Sequence, residues 1–139
     1  RNREVRKTYI ALIEGRINES GTLIHFLKKD EEKIIAEISA TDSEGYQRAE
    51  LDYELIRSGK NLSLVRINLK TGRFNQIRAQ FSHIGYPLVG DKKYGSKTKM
   101  VDGSIGLCAT EIEFKTATTD EVVKLKIEYH KEWEEYLGR

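Results

Sequence analysis

Short hydrophobic stretches separated by polar turns run along most of the chain, and this alternation predicts many strands and few helices. Stretches of Val, Ile, Leu, Tyr and Phe that end at glycine or charged residues are typical of β-strands. Seven of them predict strands over residues 5–14, 22–28, 33–41, 49–56, 62–69, 107–114 and 122–127. The connections 57–61 and 115–121 are short, so the strands flanking each are expected to form hairpins. The apolar side chains of the strand 62–69 are expected to face mostly one way, namely Leu62, Leu64, Ile67 and Leu69.

Two segments have the spacing of helices. Ile77, Phe81 and Ile84 recur at intervals of four and three residues, which puts them on one face of a helix over 75–84 that should pack on the sheet. Gly85 can end this helix, and a second helix is predicted over 130–137. No repeat or linker interrupts the pattern. The chain is therefore predicted to be a single α+β domain over residues 1–139, with a mixed, largely antiparallel sheet and few helices.

Composition narrows the function classes. Lys and Arg number 24 against 22 Asp and Glu in the 139 residues, so the net charge is only +2 and an RNA site must come from local clusters of cations. The single cysteine, Cys108, rules out an internal disulfide and a Cys-rich zinc site, which suits the cytoplasm. No apolar stretch approaches the roughly 20 residues of a membrane span, and no secretory signal opens the chain. A membrane is therefore not predicted as a partner. The three histidines lack the spacing of metal ligands, so a metal is not predicted either.

Arg78 is the first candidate for chemistry. It lies about 100° round the helix from Ile77, at the edge of the buried face, so its stem should pack and its guanidinium should enter a neighbouring crevice. Such a group can hold a carboxylate or phosphate in two-point geometry. Thr71 and Gly72 supply a turn before the helix, and Asn75 is an acceptable cap. The alternative is that Arg78 is an ordinary solvated helix residue, and its spacing alone does not separate the two.

A basic loop over residues 92–99 follows this helix. It holds Lys92, Lys93, Lys97, Lys99 and one aromatic ring, Tyr94. Cations in such a loop would contact RNA phosphates without reading sequence. The alternative is a flexible solvated loop. Acidic runs at 30–32 and 132–135 should confine RNA binding to one side of the molecule.

The run from Lys70 to Gly95 closely resembles the T-G-R-x-x-Q-I-R…G-x-P-x-x-G-D-x-x-Y-G signature of the RluA-type pseudouridine synthases. Phe74 and Asn75 depart from it, since a small hydroxyl residue and a histidine are usual there. Residues 6–15 resemble the family's K-x-Y-x-A-x-V-x-G strand, and residues 106–114 resemble its L-H-A-x-x-L-x-F strand with Cys108 in place of the histidine. The signature is matched in order at Thr71, Gly72, Arg73, Gln76, Ile77, Arg78, Gly85, Pro87, Gly90, Asp91, Tyr94 and Gly95.

This resemblance implies an isomerase that converts uridine to pseudouridine in structured RNA, either ribosomal or transfer RNA, without a cofactor. Arg78 would pair with the catalytic aspartate, Tyr9 would stack on the flipped uracil and take part in proton transfer at C5, and Leu107 would back the base pocket. Tyr9 has the alternative of an ordinary buried tyrosine. The resemblance identifies Asp91 as a structural turn residue whose carboxylate bonds its own backbone, not as the nucleophile. The residues expected to contact RNA are Lys7, Arg73, Asn75, Gln76, Lys92, Lys93, Tyr94, Lys97 and Lys99.

The family's H-R-L-D-x-x-T-S-G segment, which carries the nucleophilic aspartate, does not occur in the chain. We therefore expect the chain to be the C-terminal portion of a pseudouridine synthase catalytic domain, inactive alone. It could be a fragment of a full synthase, a naturally truncated relative that kept RNA binding, or one half of an enzyme completed by a second chain. A fragment would leave sheet edges uncovered, which would allow self-association. The alternatives from other classes are a non-catalytic RNA-binding module and a protein-interaction domain.

Overall fold

A computed structural model describes residues 2–116 and 121–138 of the chain. Seven strands form one sheet in the order β3-β2-β4-β5-β1-β6-β7, and every neighbouring pair in it is antiparallel. This confirms the predicted α+β class, the largely antiparallel sheet and both hairpins. The strands are β1 Asn2–Glu14, β2 Ser20–Asp30, β3 Ile35–Ser39, β4 Gln47–Ser58, β5 Leu62–Leu69, β6 Leu107–Thr116 and β7 Val122–Lys126. The helices are α1 Gln76–His83 and α2 Trp133–Leu137, with a 3₁₀ turn at Lys92–Tyr94.

Both faces of the sheet are buried at its centre. Leu62 and Leu64 of β5 pack on one face with Trp133 of α2, whereas Val65 and Ile67 pack on the other with α1. The expectation that Leu62, Leu64, Ile67 and Leu69 share a face was therefore wrong. Because side chains alternate along a strand, a strand covered on both sides is apolar throughout, and its periodicity no longer marks one face.

Helix α1 packs as its sequence predicts. Ile77 and Phe81 are buried against the sheet, and the Phe81 ring meets Tyr53 edge-on at 5.6 Å. Gly85 adopts a left-handed φ of 91° just after the helix. Its amide bonds the Ser82 carbonyl, and the next amide, of Tyr86, bonds the Phe81 carbonyl at 2.8 Å. These two bonds form a Schellman motif, which confirms Gly85 as the end of the helix.

Helix α2 is shorter than the predicted 130–137 and lies across the β4–β5 hairpin. Trp133, Tyr136 and Leu137 are its buried residues. The Lys60 amide of the hairpin donates to the Leu137 carbonyl at 2.8 Å. Gly59 passes so close to this carbonyl oxygen that a β-carbon at Gly59 would collide with it. The hairpin turn is therefore shaped to receive the end of the helix.

A connecting segment over residues 85–106 joins α1 to β6 and is tied to β1. The Glu14 amide donates to the Pro87 carbonyl, and the Val89 amide donates to the Leu12 carbonyl, at 2.8 and 2.9 Å. Leu88 and Val89 are fully buried. Loops of this length with as little regular structure as one 3₁₀ turn are uncommon in compact domains and are often functional. The connecting segment carries Asp91 and the basic loop to fixed positions beside α1.

Strand β7 is an edge of the described sheet. Val122 and Leu125 on this strand, and Ile127 just after it, are more than half exposed. None of the helices in the described part of the chain is long and apolar enough to cross a membrane. The Cys108 thiol is half-buried, and burial raises its pKa, so it is expected to be a poor nucleophile.

Candidate nucleic-acid interface

Arg78 is held by Asp91 in the two-point geometry that the sequence predicts for a carboxylate. Its Nε donates to Oδ2 at 2.9 Å, and its Nη2 donates to Oδ1 at 2.8 Å. The Asp91 side chain is 1% exposed and the Arg78 side chain 22%. The alternative of a solvated Arg78 is therefore wrong, and so is the expectation that the Asp91 carboxylate bonds its own backbone. The hydrogen bonds to Asp91 raise the pKa of Arg78, against an opposing effect of burial.

The ring of Tyr94 packs against the guanidinium of the same arginine. Its ring centroid lies 4.8 Å from the guanidinium carbon of Arg78, and the ring is buried. Its hydroxyl oxygen accepts hydrogen bonds from the Ala36 amide at 2.8 Å and from Nδ2 of Asn75 at 3.1 Å. Asn75 occupies the predicted N-cap position of α1, with a left-handed φ of 52°, and its carbonyl accepts from the Ala79 amide at 2.9 Å, but its side chain makes no capping bond. The burial of Tyr94 also argues against the predicted contact between its ring and RNA.

Gln76 ties the turn before α1 to strand β4. Its Oε1 accepts bonds from Oγ1 of Thr71 at 2.8 Å and from the Arg73 amide at 3.0 Å, while its Nε2 donates to the Glu50 carbonyl. The side chain is buried. Gln76 therefore shapes the Thr71–Gly72–Arg73 turn, and this occupied side chain argues against its predicted contact with RNA.

An open cleft of about 380 Å³ brings together two of the motifs that are far apart in the sequence. It joins the K-x-Y strand to the T-G-R turn. Of the described residues that line it, three are cationic and none is acidic. Its lining consists of Lys7, Tyr9, Leu69, Lys70, Thr71, Gly72 and Arg73. Tyr9 is half-buried, so the alternative of a fully buried tyrosine does not hold. The cleft is an open basic slot with an aromatic wall.

Leu107 and Tyr9 pack against the same hydrophobic cluster as Ile77 and Phe81, so they lie on the α1 face of the sheet. Leu107 is half-buried and does not line the cleft. Arg78 does not line it either. The structure thus brings Lys7, Tyr9 and Arg73 together and holds Arg78 in a separate cluster on the same side.

The basic loop is anchored through its backbone. Oε2 of Glu14 accepts hydrogen bonds from the amides of Lys97 and Thr98, both at 2.8 Å, and from the hydroxyl of Ser96. Four lysines of this loop were expected to contact phosphates, namely Lys92, Lys93, Lys97 and Lys99. Their side chains are exposed and make no ion pair with any other residue in the described ranges. A loop with a fixed backbone and free lysine side chains presents its positive charge at a defined place.

Sequence reasoning missed one polar cluster around the buried His25. The rings of His25 and His83 meet edge-on at 4.9 Å, and Nε2 of Gln80 lies 2.8 Å from Nδ1 of His25. His25 is buried, and this burial, together with the His83 ring, lowers its pKa. The histidines lie far apart in the sequence, so only the register of β2 against α1 could have revealed their contact. No group of three or more His, Cys, Asp or Glu side chains in the described residues is arranged to hold a metal ion.

The profile of the RNA pseudouridylate synthase family matches residues 1–83, more than half of the chain. The chain belongs to this family. The match ends with helix α1, so it includes Tyr9, Arg73 and Arg78, while Asp91 and the basic loop lie beyond it.

Relatives agree with this assignment. The chain is 36% identical to an uncharacterized RNA pseudouridine synthase of Chloroflexus aurantiacus, over 68% of the chain and 29% of that protein. It is 26% identical to tRNA pseudouridine synthase C of Vibrio vulnificus, over 98% of the chain and 62% of that protein. The fold matches human RNA pseudouridylate synthase domain containing 1 with a TM-score of 0.73 and 26% identity, over 90% of the chain and 55% of that structure. The chain therefore spans less than two thirds of each of these family members.

Proposed function

We propose that the protein containing this chain is an RNA pseudouridine synthase that isomerises uridine to pseudouridine in ribosomal or transfer RNA. The observation that carries the proposal is the fixed position of Arg78, whose Nε–Nη2 edge is bound by Asp91. Its Nη1 has no hydrogen-bond partner among the residues that the structure describes. The guanidinium is therefore oriented and still able to receive a second anion.

That second anion is, in this proposal, the nucleophilic aspartate of the R-L-D segment, which the chain lacks. A fixed arginine would keep this carboxylate ionised and aim it at the target nucleotide. Asp91 is a positioning residue, because its buried carboxylate is already occupied by Arg78. The chain alone is then inactive, and it supplies the arginine that stabilises the nucleophile's charge but not the nucleophile itself.

Tyr9 would receive the flipped uracil, because it is the aromatic wall of the cleft. In the reaction the bond between C1′ and N1 breaks, the base rotates, and a bond forms between C1′ and C5. The C5 proton is lost and N1 gains one, so the isomerisation needs no redox or metal cofactor. The Tyr9 hydroxyl is the group of this chain proposed to take part in the C5 proton transfer. Leu107 would back the base pocket from the neighbouring strand.

RNA phosphates would be bound by Lys7 and Arg73 in the cleft and by the four lysines of the basic loop. Such contacts are independent of sequence and weaken as salt rises. We place this activity in the cytoplasm. The second candidate function is a non-catalytic RNA-binding module. One observation favours it. The carboxylate that Arg78 binds in the described structure belongs to Asp91, which holds the arginine in place and is not a nucleophile in this proposal.

The test uses the full-length protein and its upstream sequence. That sequence should contain an R-L-D-x-x-T-S-G segment, and chromatography of the nucleosides from a treated transcript, which separates pseudouridine from the equal-mass uridine, should detect pseudouridine. Arg78→Met should lower turnover by about 100-fold or more while RNA binding persists. Arg16→Met removes an exposed arginine outside the cleft lining and is the matched control. Near-normal turnover of Arg78→Met would refute the role of Arg78, and absence of any pseudouridine would leave the binding module as the function.

A further inference from the structure

We propose that Phe74 and Lys29 form a stacking platform beside the cleft, which holds an unpaired RNA base next to the target nucleotide. This inference rests on the proposed function, since it adds a contact to the same RNA. It concerns the position at which the chain departs from the family signature by replacing a small hydroxyl residue with phenylalanine.

Phe74 is more exposed than any other Phe, Tyr or Trp in residues 6–116 and 121–138. It is 39% exposed, and it is the one aromatic side chain of the exposed class in residues 6–116 and 121–138. Aromatic side chains usually bury most of their area, so an exposed ring next to a basic cleft needs a ligand with a flat face. Phe74 follows Arg73, a residue of the cleft lining, and its ring lies outside that lining, against Lys29 of β2.

Lys29 supplies the charge of the platform. Its Nζ lies 4.4 Å from the centroid of the Phe74 ring, and it also lies 3.7 Å from Oε2 of Glu31. The Lys29 side chain is 39% exposed and Glu31 is 81% exposed, so this ion pair is a loose surface contact. The ammonium therefore stays available to a phosphate that flanks a base stacked on the ring.

Two cations next to the ring favour nucleic acid over protein as the occupant: Lys29 lies over the ring and Arg73 precedes it in the chain, while the acidic run 30–32 follows Lys29. Lys7, Lys70 and Arg73 line the cleft, and no acid joins them in its described lining. A protein partner would need an apolar patch of several hundred Å², whereas Phe74 is the one exposed large hydrophobic residue of the T-G-R turn. A ring flanked by cations is the arrangement with which proteins hold single-stranded bases.

The test compares three variants of the full-length protein on two RNAs of equal length, a stem with an unpaired loop and a fully paired duplex. Phe74→Ala should weaken binding to the loop RNA by about 5- to 100-fold and leave binding to the duplex unchanged. Phe74→Tyr should restore the loop affinity. Ile34→Ala removes another exposed apolar side chain, away from the cleft lining, and should change neither affinity.

The outcomes separate this inference from the proposed function. Equal binding of Phe74→Ala and wild type to the loop RNA overturns the platform, and so does an equal loss on both RNAs, because stacking requires an unpaired base. A wild-type protein that binds neither RNA overturns the platform and the proposed function together. The salt dependence gives a further check, because Phe74→Ala removes no charge and should leave the slope of affinity against salt as in wild type.

Discussion

Replacing Asp91 by asparagine removes the negative charge that binds Arg78, while the side chain keeps nearly the same shape. Two hydrogen bonds to a charged partner, at 2.8 and 2.9 Å, then become weaker, and the guanidinium faces a neutral amide. Truncating one partner of a buried ion pair costs roughly 3–5 kcal/mol. Because the Arg78 side chain is 22% exposed, water recovers part of this, and we expect a loss of about 3 kcal/mol.

This loss should appear as a fall of roughly 10 °C in Tm for a domain of this size. Urea unfolding of Asp91→Asn and of wild type measures it directly. The control is Asp42→Asn, which makes the same change at an exposed aspartate and should be neutral. In an Arg78→Met background the asparagine should cost much less, because the buried carboxylate has already lost its partner.

The reasoning is refuted if Asp91→Asn loses less than about 1 kcal/mol, the typical worth of a surface pair. It is also refuted if the effects of Asp91→Asn and Arg78→Met simply add. Either result would mean that the connecting segment is held on α1 by its apolar residues alone, and that Asp91 does not position the arginine.

Three further changes test other contacts. Glu14→Ala removes the carboxylate that holds the basic loop, so the Lys97 and Thr98 amides should exchange hydrogen about tenfold faster by NMR, while unchanged rates would contradict the anchoring. Burial lowers the pKa of His25, so the unfolded chain binds a proton first, and stability should begin to drop as the pH falls through about 6.5, the pKa of an unperturbed histidine. Thermal melts of His25→Gln should show a smaller drop, and an identical drop would exclude His25 as its source. Gly59→Ala should cost about 2 kcal/mol in urea unfolding by displacing α2 from the hairpin, and wild-type stability would contradict this close contact.

Local patterns were sufficient to predict most of the fold. The strands on either side of β1 follow from short apolar stretches that end at turn residues, and the helix of Ile77 and Phe81 follows from its periodicity, because each of these elements carries its own local signal. The end of α1 at Gly85 was predicted correctly, because a helix end of this kind depends only on neighbouring residues in the sequence. The two-point hold on a carboxylate by Arg78 was one of two open interpretations, because its spacing at the edge of a buried face did not separate it from a solvated arginine.

The identity of that carboxylate was not predictable from local pattern. Asp91 reaches Arg78 only because the connecting segment is tied to β1 near Pro87 and Val89, and a contact of this kind depends on the tertiary path of the chain. The burial of Tyr94 and Gln76 was not predicted for the same reason. A polar group in a motif can be assigned to RNA binding until its hydrogen-bond partners within the fold are known. The RNA contacts and catalytic roles assigned to the cleft and basic loop stay predictions.

The central position of β1 has a consequence for how the protein is made. Ala11 pairs with Val65 on one side and with Leu107 on the other, so both neighbours of β1 leave the ribosome long after it. Until then its apolar residues, Ile10 to Ile13, have no strand to pair with, although all four are buried in the finished fold. Non-local pairing of this kind slows folding and exposes sticky strands to other chains. Strand β1 therefore stays without both partners until the residues up to Leu107 have been made, and in that interval its apolar residues are open to contact with other chains.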